Sequence, residues 1–318
     1  MREKKIGILC LQETHLDNQH ETQIDTLYAR RMKVINSKDP TRPSTSAGVA
    51  FVINRELTNT DNIETFELIP GRALVLKIKW HSNETLTILN IYAPNNLTQH
   101  PDFWERINAK WQEHNLPHPD FMLGDFNVTE DPLDRAPAKL DNENAISALR
   151  ELRQNLNLQD TWRELHPTER VFTFYSNNNS YSRLDRIYTA PTHQQNLHNW
   201  DSSTSAIPTD HRMASVRLAL TNTPFIGQGR WSWPLGLIND KHLIKKMSEI
   251  GIITQQKIME QTSNRDENQH PQRTWEEFKE QIRQEARKTA KEHLCKINQR
   301  TKKLEADLKS MLDNQDID

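Results

Sequence analysis

Two runs of alternating apolar residues, separated by four polar ones, set the first limit on the fold. Ala73 to Trp80 and Thr85 to Tyr92 each alternate in strand fashion, with His81-Ser82-Asn83-Glu84 between them. So short a connection makes a β-hairpin with antiparallel arms, because parallel arms need a crossover of a dozen residues or more. A purely parallel, doubly wound sheet is therefore excluded.

The remaining apolar stretches fit around that pair. Ile6 to Leu11 reads as a buried strand running into Gln12-Glu13-Thr14-His15. Glu21 to Met32 carries Ile24, Leu27, Tyr28 and Arg31 at helical spacing, a surface helix. After a loop at 40–46, Ala47 to Ile53 is a second apolar strand. Asp102 to His114 is an amphipathic helix with Phe103, Trp104, Ile107 and Trp111 on its apolar side, and Ala145 to Leu156 another with Ile146, Leu149, Leu152 and Leu156. Val171 to Tyr175 and Arg183 to Thr189 are strands joined by the polar run Ser176 to Ser180, and Ala214 to Leu220 is the last. Strands and helices mixed in this way predict sheets packed on each other with helices outside.

Near Thr221 the character changes. Phe225-Ile226-Gly227-Gln228-Gly229-Arg230-Trp231-Ser232-Trp233-Pro234 lies in a linker at 223–239, followed by a helical extension at 240–318 with helices at about 240–261 and 273–312. In the second, Trp275, Phe278, Ile282, Ala286, Ala290, Leu294, Ile297, Leu304 and Leu308 recur every three to four residues, decorated by Arg283, Arg287, Lys288, Lys291, Arg300, Lys302 and Lys303. Such a basic amphipathic helix either touches nucleic acid or presents a solvated face opposite its apolar stripe. Charge follows the division. Residues 223–318 hold 17 Lys and Arg against 15 Asp and Glu, while the whole chain of 318 residues has net charge −2 and no global basic footprint.

Two cysteines, Cys10 and Cys295, form neither a metal motif nor a disulfide framework, which suits a reducing compartment. The run Ile6 to Leu11 is too short to span a bilayer and no signal-peptide pattern precedes it. The expectation is an intracellular protein, with no membrane partner.

Phe121-Met122-Leu123-Gly124-Asp125-Phe126-Asn127 is a short buried strand ending in a glycine, a carboxylate and, two positions on, a carboxamide. In extended chain, residues i and i+2 point the same way, so Asp125 and Asn127 can converge on one spot. Either they form a reactive site or the strand ends in an ordinary Asx turn. Four more polar clusters stand at strand ends, where α/β sites are built. They are Gln12-Glu13, Asn90 to Tyr92, Arg183 to Asp185, and Thr209-Asp210-His211. Singly, each has a structural explanation: a cap, a core tyrosine, an ion pair, a loop histidine. Together they suit phosphodiester chemistry. Carboxylates held ~4 Å apart repel by about 4 kcal/mol at an effective dielectric near 20. A group of Glu13, Asp125, Asp185 and Asp210 therefore calls for a divalent cation or a shared proton. Hard oxygen donors without cysteine select Mg²⁺, with Mn²⁺ as an alternative, over Zn²⁺.

Six ordered stretches carry a resemblance: Leu11 to His15, Asn90 to Asn95, Leu123 to Asn127, Phe172-Thr173-Phe174, Tyr181 to Ile187 and Thr209 to His211. Over about residues 5–222 the chain resembles the endonuclease/exonuclease/phosphatase (DNase I-like) superfamily, and within it the endonuclease of non-LTR, LINE-type retrotransposons. Asp160-Thr161-Trp162-Arg163, with His166-Pro167, is similar to that subgroup too. The resemblance implies an α/β fold, a four-layer sandwich of two mixed β-sheets flanked by helices, spanning 1–222. It implies DNA as partner, a nuclear location if chromosomal DNA is the target, and roles for named residues. Glu13 is then the Mg²⁺ ligand, assisted by Asp210; Asp125 is the water-activating base; Asn127 orients the nucleophile or phosphate. Asp185 orients His211, which stabilises developing charge, and Tyr92 contacts the phosphate. Thr173, Ser182, Arg183 and Thr209 line the strand-binding cleft.

Two departures stand out. The family begins with a further strand bearing a metal-site asparagine, so the chain reads as lacking that residue and an edge of one sheet. The retrotransposon parents continue into a reverse transcriptase, whereas this chain shows no paired-aspartate polymerase motif. Two other readings stay open: a phosphatase of the same superfamily, and an inactive relic whose helical tail binds nucleic acid or a partner.

Overall fold

The structure is a computed structural model that describes residues 1, 4–80, 84–176, 178, 180–205, 209–219, 233–263 and 271–312. The chain divides near residue 223 into two compact units.

In chain order the first unit contains β1 (Ile8–Gln12), α1 (Asn18–Tyr28), β2 (Met32–Ser37), β3 (Val49–Asn54), β4 (Glu64–Ile69), β5 (Ala73–Lys79) and β6 (Thr85–Tyr92). There follow α2 (His100–Glu113), β7 (Phe121–Asp125), β8 (Arg135–Ala136), α3 (Glu143–Asn155), α4 (Thr161–Leu165), β9 (Phe174–Tyr175), β10 (Tyr181–Ser182), β11 (Asp185–Thr189), β12 (Leu197–Thr204) and β13 (Arg212–Leu218).

The hairpin β5–β6 pairs as its sequence predicts, Ala73 opposite Ile91 through Lys79 opposite Thr85. It sits inside a five-stranded sheet ordered β11-β7-β6-β5-β4. Both faces of this hairpin are apolar, so both are covered. Val75, Leu89, Ile91 and Met122 meet the helices α2 and α3 through Trp104, Ile107, Ile146 and Leu149. Leu74, Leu76, Ile78 and Ile88 meet Phe51 and Ile53 of β3 on the other side. α2 carries the chain from β6 to β7, which makes that one pairing parallel.

The mixed α/β architecture is that of the expected fold, with one difference. The five-stranded sheet is mixed, but the opposing layer is wholly antiparallel and stands in two pieces, β1-β3-β2 and β12-β13. β3 is apolar along its length and buried at all six positions, so it takes the centre of its piece. A third small sheet, β8-β10-β9, ties the loops around the later motifs.

Five strands are absent from the sequence reading: the two-residue β8 and β10, too short to show a pattern, and β2, β4 and β12. β4 exposes Glu64, Thr65 and Glu67 at an edge, and β12 is mainly polar. β2 begins at Met32, within the stretch read as helix. The helix itself is shorter: α1 runs from Asn18, capped by Asp17, which accepts the His20 N–H, and buries no residue. The linker sequence Phe225 to Ser232 and the hairpin turn at 81–83 lie outside the described residues.

The second unit is a helical hairpin of α5 (Lys241–Ser263) and α6 (Pro271–Leu312). Lys246 Nζ lies 2.5 Å from Glu285 Oε1 and His293 Nε2 lies 3.1 Å from Asp240 Oδ2, so the helices run antiparallel. Leu237, Leu243 and Ala286, with Met247 and Ala290 against them, form its small core. Among the described residues, no helix is long and apolar enough to cross a membrane.

One backbone contact decides where β7 ends. Gly124 has φ +137°, and a Cβ there would meet the Ile91 carbonyl oxygen at 2.0 Å. Side chains rarely adopt that φ, and the parallel neighbour leaves no room. Gly124→Ala is expected to cost about 3 kcal/mol from strain and overpacking together, read as a lower midpoint in urea denaturation.

Candidate active site

The site is built at one end of the seam between the two sheet layers. β7 and β11 are antiparallel, and their register sets Asp125 directly opposite Asp185. The Phe126 N–H donates to the Leu184 carbonyl at 3.0 Å. The Asp125–Asp185 pair is therefore of the non-hydrogen-bonded kind, in which facing side chains stand closest. Tyr92, at the end of β6, lies opposite Asp125 in the parallel pairing. Glu13 follows β1 immediately, and its carboxylate accepts a short hydrogen bond from the Tyr92 hydroxyl.

Asn90 holds the two layers in this alignment. Wholly buried, it donates to the Leu11 and Ala50 carbonyls at 3.2 and 3.0 Å and accepts from Gln12 Nε2 at 2.7 Å. A buried carboxamide costs little when its partners are all present, and these partners come from β1, β3 and the segment bearing Glu13.

Two site residues occupy the left-handed region, Glu13 at φ 51° and Asn127 at φ 48°. Non-glycine residues there cost on the order of 1 kcal/mol or more and cluster where function retains them. Asn127 is further held by its N–H, which donates to Asp125 Oδ1 at 2.9 Å, and by Nδ2, which donates to the Ala93 carbonyl at 2.9 Å. The Asx turn and the candidate reactive carboxylate, alternatives in the sequence, thus fall on the same residue.

His211 completes the group. Its Nδ1 is 2.8 Å from Asp185 Oδ2, and its N–H donates to Thr209 Oγ1 at 3.1 Å. Burial opposes the imidazolium, but the hydrogen bond and negative charge of Asp185, with Asp125 and Asp210 beyond, raise its pKa to about 9. Burial, then the charge of Asp185, push the Asp125 carboxyl up to about 7, with His211 working in the opposite direction. The Tyr92 hydroxyl is also raised, by burial first and then by Glu13 and Asp125.

Not every sequence candidate faces this cleft. Arg183 is buried, with Nε and Nη2 on Asp134 at 2.8 and 2.9 Å and Nη2 on Asp160 at 2.6 Å. Its guanidinium is fully engaged by carboxylates, which places it under the site instead of in a strand-binding surface. Thr173 is buried as well: its Oγ1 accepts the N–H groups of Leu184 and Asp185 at 3.0 and 2.9 Å, which fixes the start of β11. Ser182 is buried in the small sheet, paired with Phe174 and Arg135. Thr209 and Asp210 are exposed, and the Asp210 carbonyl accepts the Tyr175 N–H.

Asp160 also caps α4 through the Arg163 N–H, and Trp162 lies under the guanidinium groups of Arg163 and Arg183 at 5.0 and 4.9 Å. The Asp160-Thr161-Trp162-Arg163 motif is thereby explained as a brace behind β11.

Three site neighbours escaped the sequence reading. Asn95 Oδ1 lies 3.4 Å from both the Tyr92 hydroxyl and Asn127 Nδ2. Its signal was present, as the last residue of Asn90-Ile91-Tyr92-Ala93-Pro94-Asn95. Arg72 stacks over the Tyr92 ring at 4.8 Å and donates to the Tyr92 and Ala93 carbonyls, and Asp134 receives Arg183. Neither stands in a pattern a sequence displays. Among the described residues, no three His, Cys, Asp or Glu side chains form a ready-made metal cage.

The Asp185–His211 pair makes a measurable prediction. His211 gains stability by being charged in the fold, a contribution complete below its ordinary 6.5 and lost as pH rises through about 9. Asp125 acts in the same direction over a lower window, although its favoured form is the neutral one: that contribution is complete below 3.8 and is lost as pH rises through about 7. With Asp185→Asn, the His211 titration followed by NMR is expected to move from about 9 toward 6.5; an unmoved midpoint would exclude Asp185 as the cause.

Comparison with known proteins agrees with this geometry. Residues 1–211 match the model of the Endonuclease/Exonuclease/phosphatase family. A transposon TX1 uncharacterized 149 kDa protein of Xenopus laevis is 29% identical over 210 residues, which is 64% of this chain and 16% of that protein. The chain thus spans about one sixth of that relative's length. An AP endonuclease from Archaeoglobus fulgidus superposes with a TM-score of 0.56 at 23% identity, over 69% of this chain and 91% of that one. The 3′ phosphatase NExo from Neisseria, bound to product DNA hairpin, gives 0.53 at 17%, over 67% and 89%. At such identities the two structures speak for the fold alone.

Proposed function

Because this chain belongs to the Endonuclease/Exonuclease/phosphatase family, we propose that its first unit is a Mg²⁺-dependent phosphodiester hydrolase, a DNA endonuclease of retrotransposon origin that nicks its target. The observation that carries this reading is the Asp125–Asp185–His211 group, with Asn127, Tyr92 and Glu13 at the same end of the seam.

Each residue has a task its surroundings suit. Asp125, with a pKa near 7, is partly ionised at neutral pH and can take a proton from an attacking water. Asn127, fixed through its own N–H and Nδ2, orients that water or the phosphate without adding charge. His211 is protonated at neutral pH; with Nδ1 engaged by Asp185, its Nε2–H is the donor left for a phosphate oxygen that gains charge. The Tyr92 hydroxyl, hydrogen-bonded to Glu13, is assigned to contact the phosphate. Thr173 and Arg183 act through β11, by holding Asp185 in place.

The donors near Glu13 fit a hard cation: one carboxylate and the carboxamides of Asn95 and Asn127, all oxygen, with no thiol among them. Mg²⁺ binds through one or two carboxylates, waters and substrate phosphate, so a closed cage is not required; Mn²⁺ suits the same donors. When bound, such a cation neutralises phosphate charge and the leaving oxygen. Exposed Asp210 adds negative charge next to His211 and is assigned to assist the cation. Action on chromosomal DNA places the protein in the nucleus.

Conversion of supercoiled plasmid to the nicked form, with and without Mg²⁺, tests the proposal. Nicking should require the cation. Asp125→Ala and His211→Ala should each slow it by roughly 100- to 10,000-fold, the range for general acid–base groups, while Glu13→Gln should raise the Mg²⁺ concentration needed. Plasmid that is bound but never nicked would favour the relic, and release of phosphate from 3′-phosphorylated ends without nicking would favour a phosphatase.

A further inference from the structure

The far half of α6 has no partner in its own hairpin. α5 begins opposite His293, where Asp240 meets the imidazole, so among the described residues α5 does not lie alongside α6 beyond that point. Yet its apolar side continues. Leu294, Ile297, Leu304 and Met311 are 57%, 60%, 59% and 65% exposed. With Thr301 and Leu308 they alternate at intervals of three and four residues from 294 to 311, which is the a and d spacing of a coiled coil. A solvated helix has no reason to keep that interval for three turns of the pattern.

The charges around the seam select an occupant. With Leu294 at a, Lys296, Lys302 and Lys303 fall at the outer b and c positions. The seam itself carries no charge. Arg300 falls at g and Glu305 at the following e, which are the positions that meet between two parallel helices of the same sequence. In a parallel pair each Arg300 faces the other copy's Glu305, twice over. An antiparallel pair centred on residue 300 would set Arg300 against Arg300. Thr301, polar at an a position, penalises shifted registers.

We propose that residues 294–312 form a parallel two-stranded coiled coil with a second copy of this chain. The basic residues then line the outside of the dimer, which explains a cationic face without assigning it to nucleic acid. The inference is independent of the nuclease reading, since it uses only the second unit.

Sedimentation equilibrium of the full chain tests it. The expected result is a reversible dimer. Ile297→Asp should abolish it with helix content retained by circular dichroism. Arg300→Glu and Glu305→Arg should each weaken it roughly fivefold, from two lost pairs, and the double reversal should restore it. In a Cys295→Ser background, Met311→Cys should form an intermolecular disulfide, because d residues face each other in a parallel pair. A monomer at tens of micromolar, a dimer indifferent to Ile297→Asp, or single reversals that the double change does not rescue would each overturn the proposal. So would Met311→Cys chains that dimerise but do not cross-link.

Discussion

Two carboxylates facing each other across a β-ladder are an awkward thing for a protein to hold, and the first unit is arranged around that awkwardness. Register alone brings Asp125 and Asp185 together, and burial removes the water that would screen them. The repulsion is relieved in two ways at once. His211 stays protonated against Asp185, and Asp125 becomes a weak acid titrating near neutrality. Two groups with separated protonation states follow from one piece of strand pairing, the division that the proposed acid and base tasks need.

What surrounds the pair keeps it from relaxing. Thr173 ties down the amides at the start of β11, and behind it Arg183 links Asp134 to Asp160 in an ion group next to Trp162. On the other side Gly124 lets β7 lie close to β6, and Asn90 pins β1 and β3 across the seam so that Glu13 reaches Tyr92. Buried charges of this kind are poor sources of net stability but costly to break singly. Their worth here is geometric: they restrict where the ends of five strands can sit.

The sequence showed the hairpin, the apolar strands and the amphipathic helices because each is a periodic pattern of burial. It also pointed to Asp125, Asp185 and His211, which the fold brings together, since they stand at strand ends in spellings shared with a family. It did not show β4 or β12, where an exposed edge removes the apolar signal, nor the true end of α1, whose side chains bury nothing. Arg183 misled for a definite reason. An arginine beside a reactive aspartate looks the same in sequence whether it points at a phosphate or, as here, at two carboxylates supplied by residues 134 and 160. Arg72 was silent because its contact is with a backbone and a ring, which no spacing encodes.

The ladder between β7 and β11 also bears on how such a chain can change over generations. A single residue added or lost within 121–125 or 185–189 would turn one aspartate to the opposite face of the sheet. Point changes there can be weighed one at a time, but changes in length destroy the pair outright. The segment 137–142, between β8 and α3, lies outside these strands. A change of length there leaves the register of the pair untouched, and is expected to alter what the cleft accepts without dismantling it.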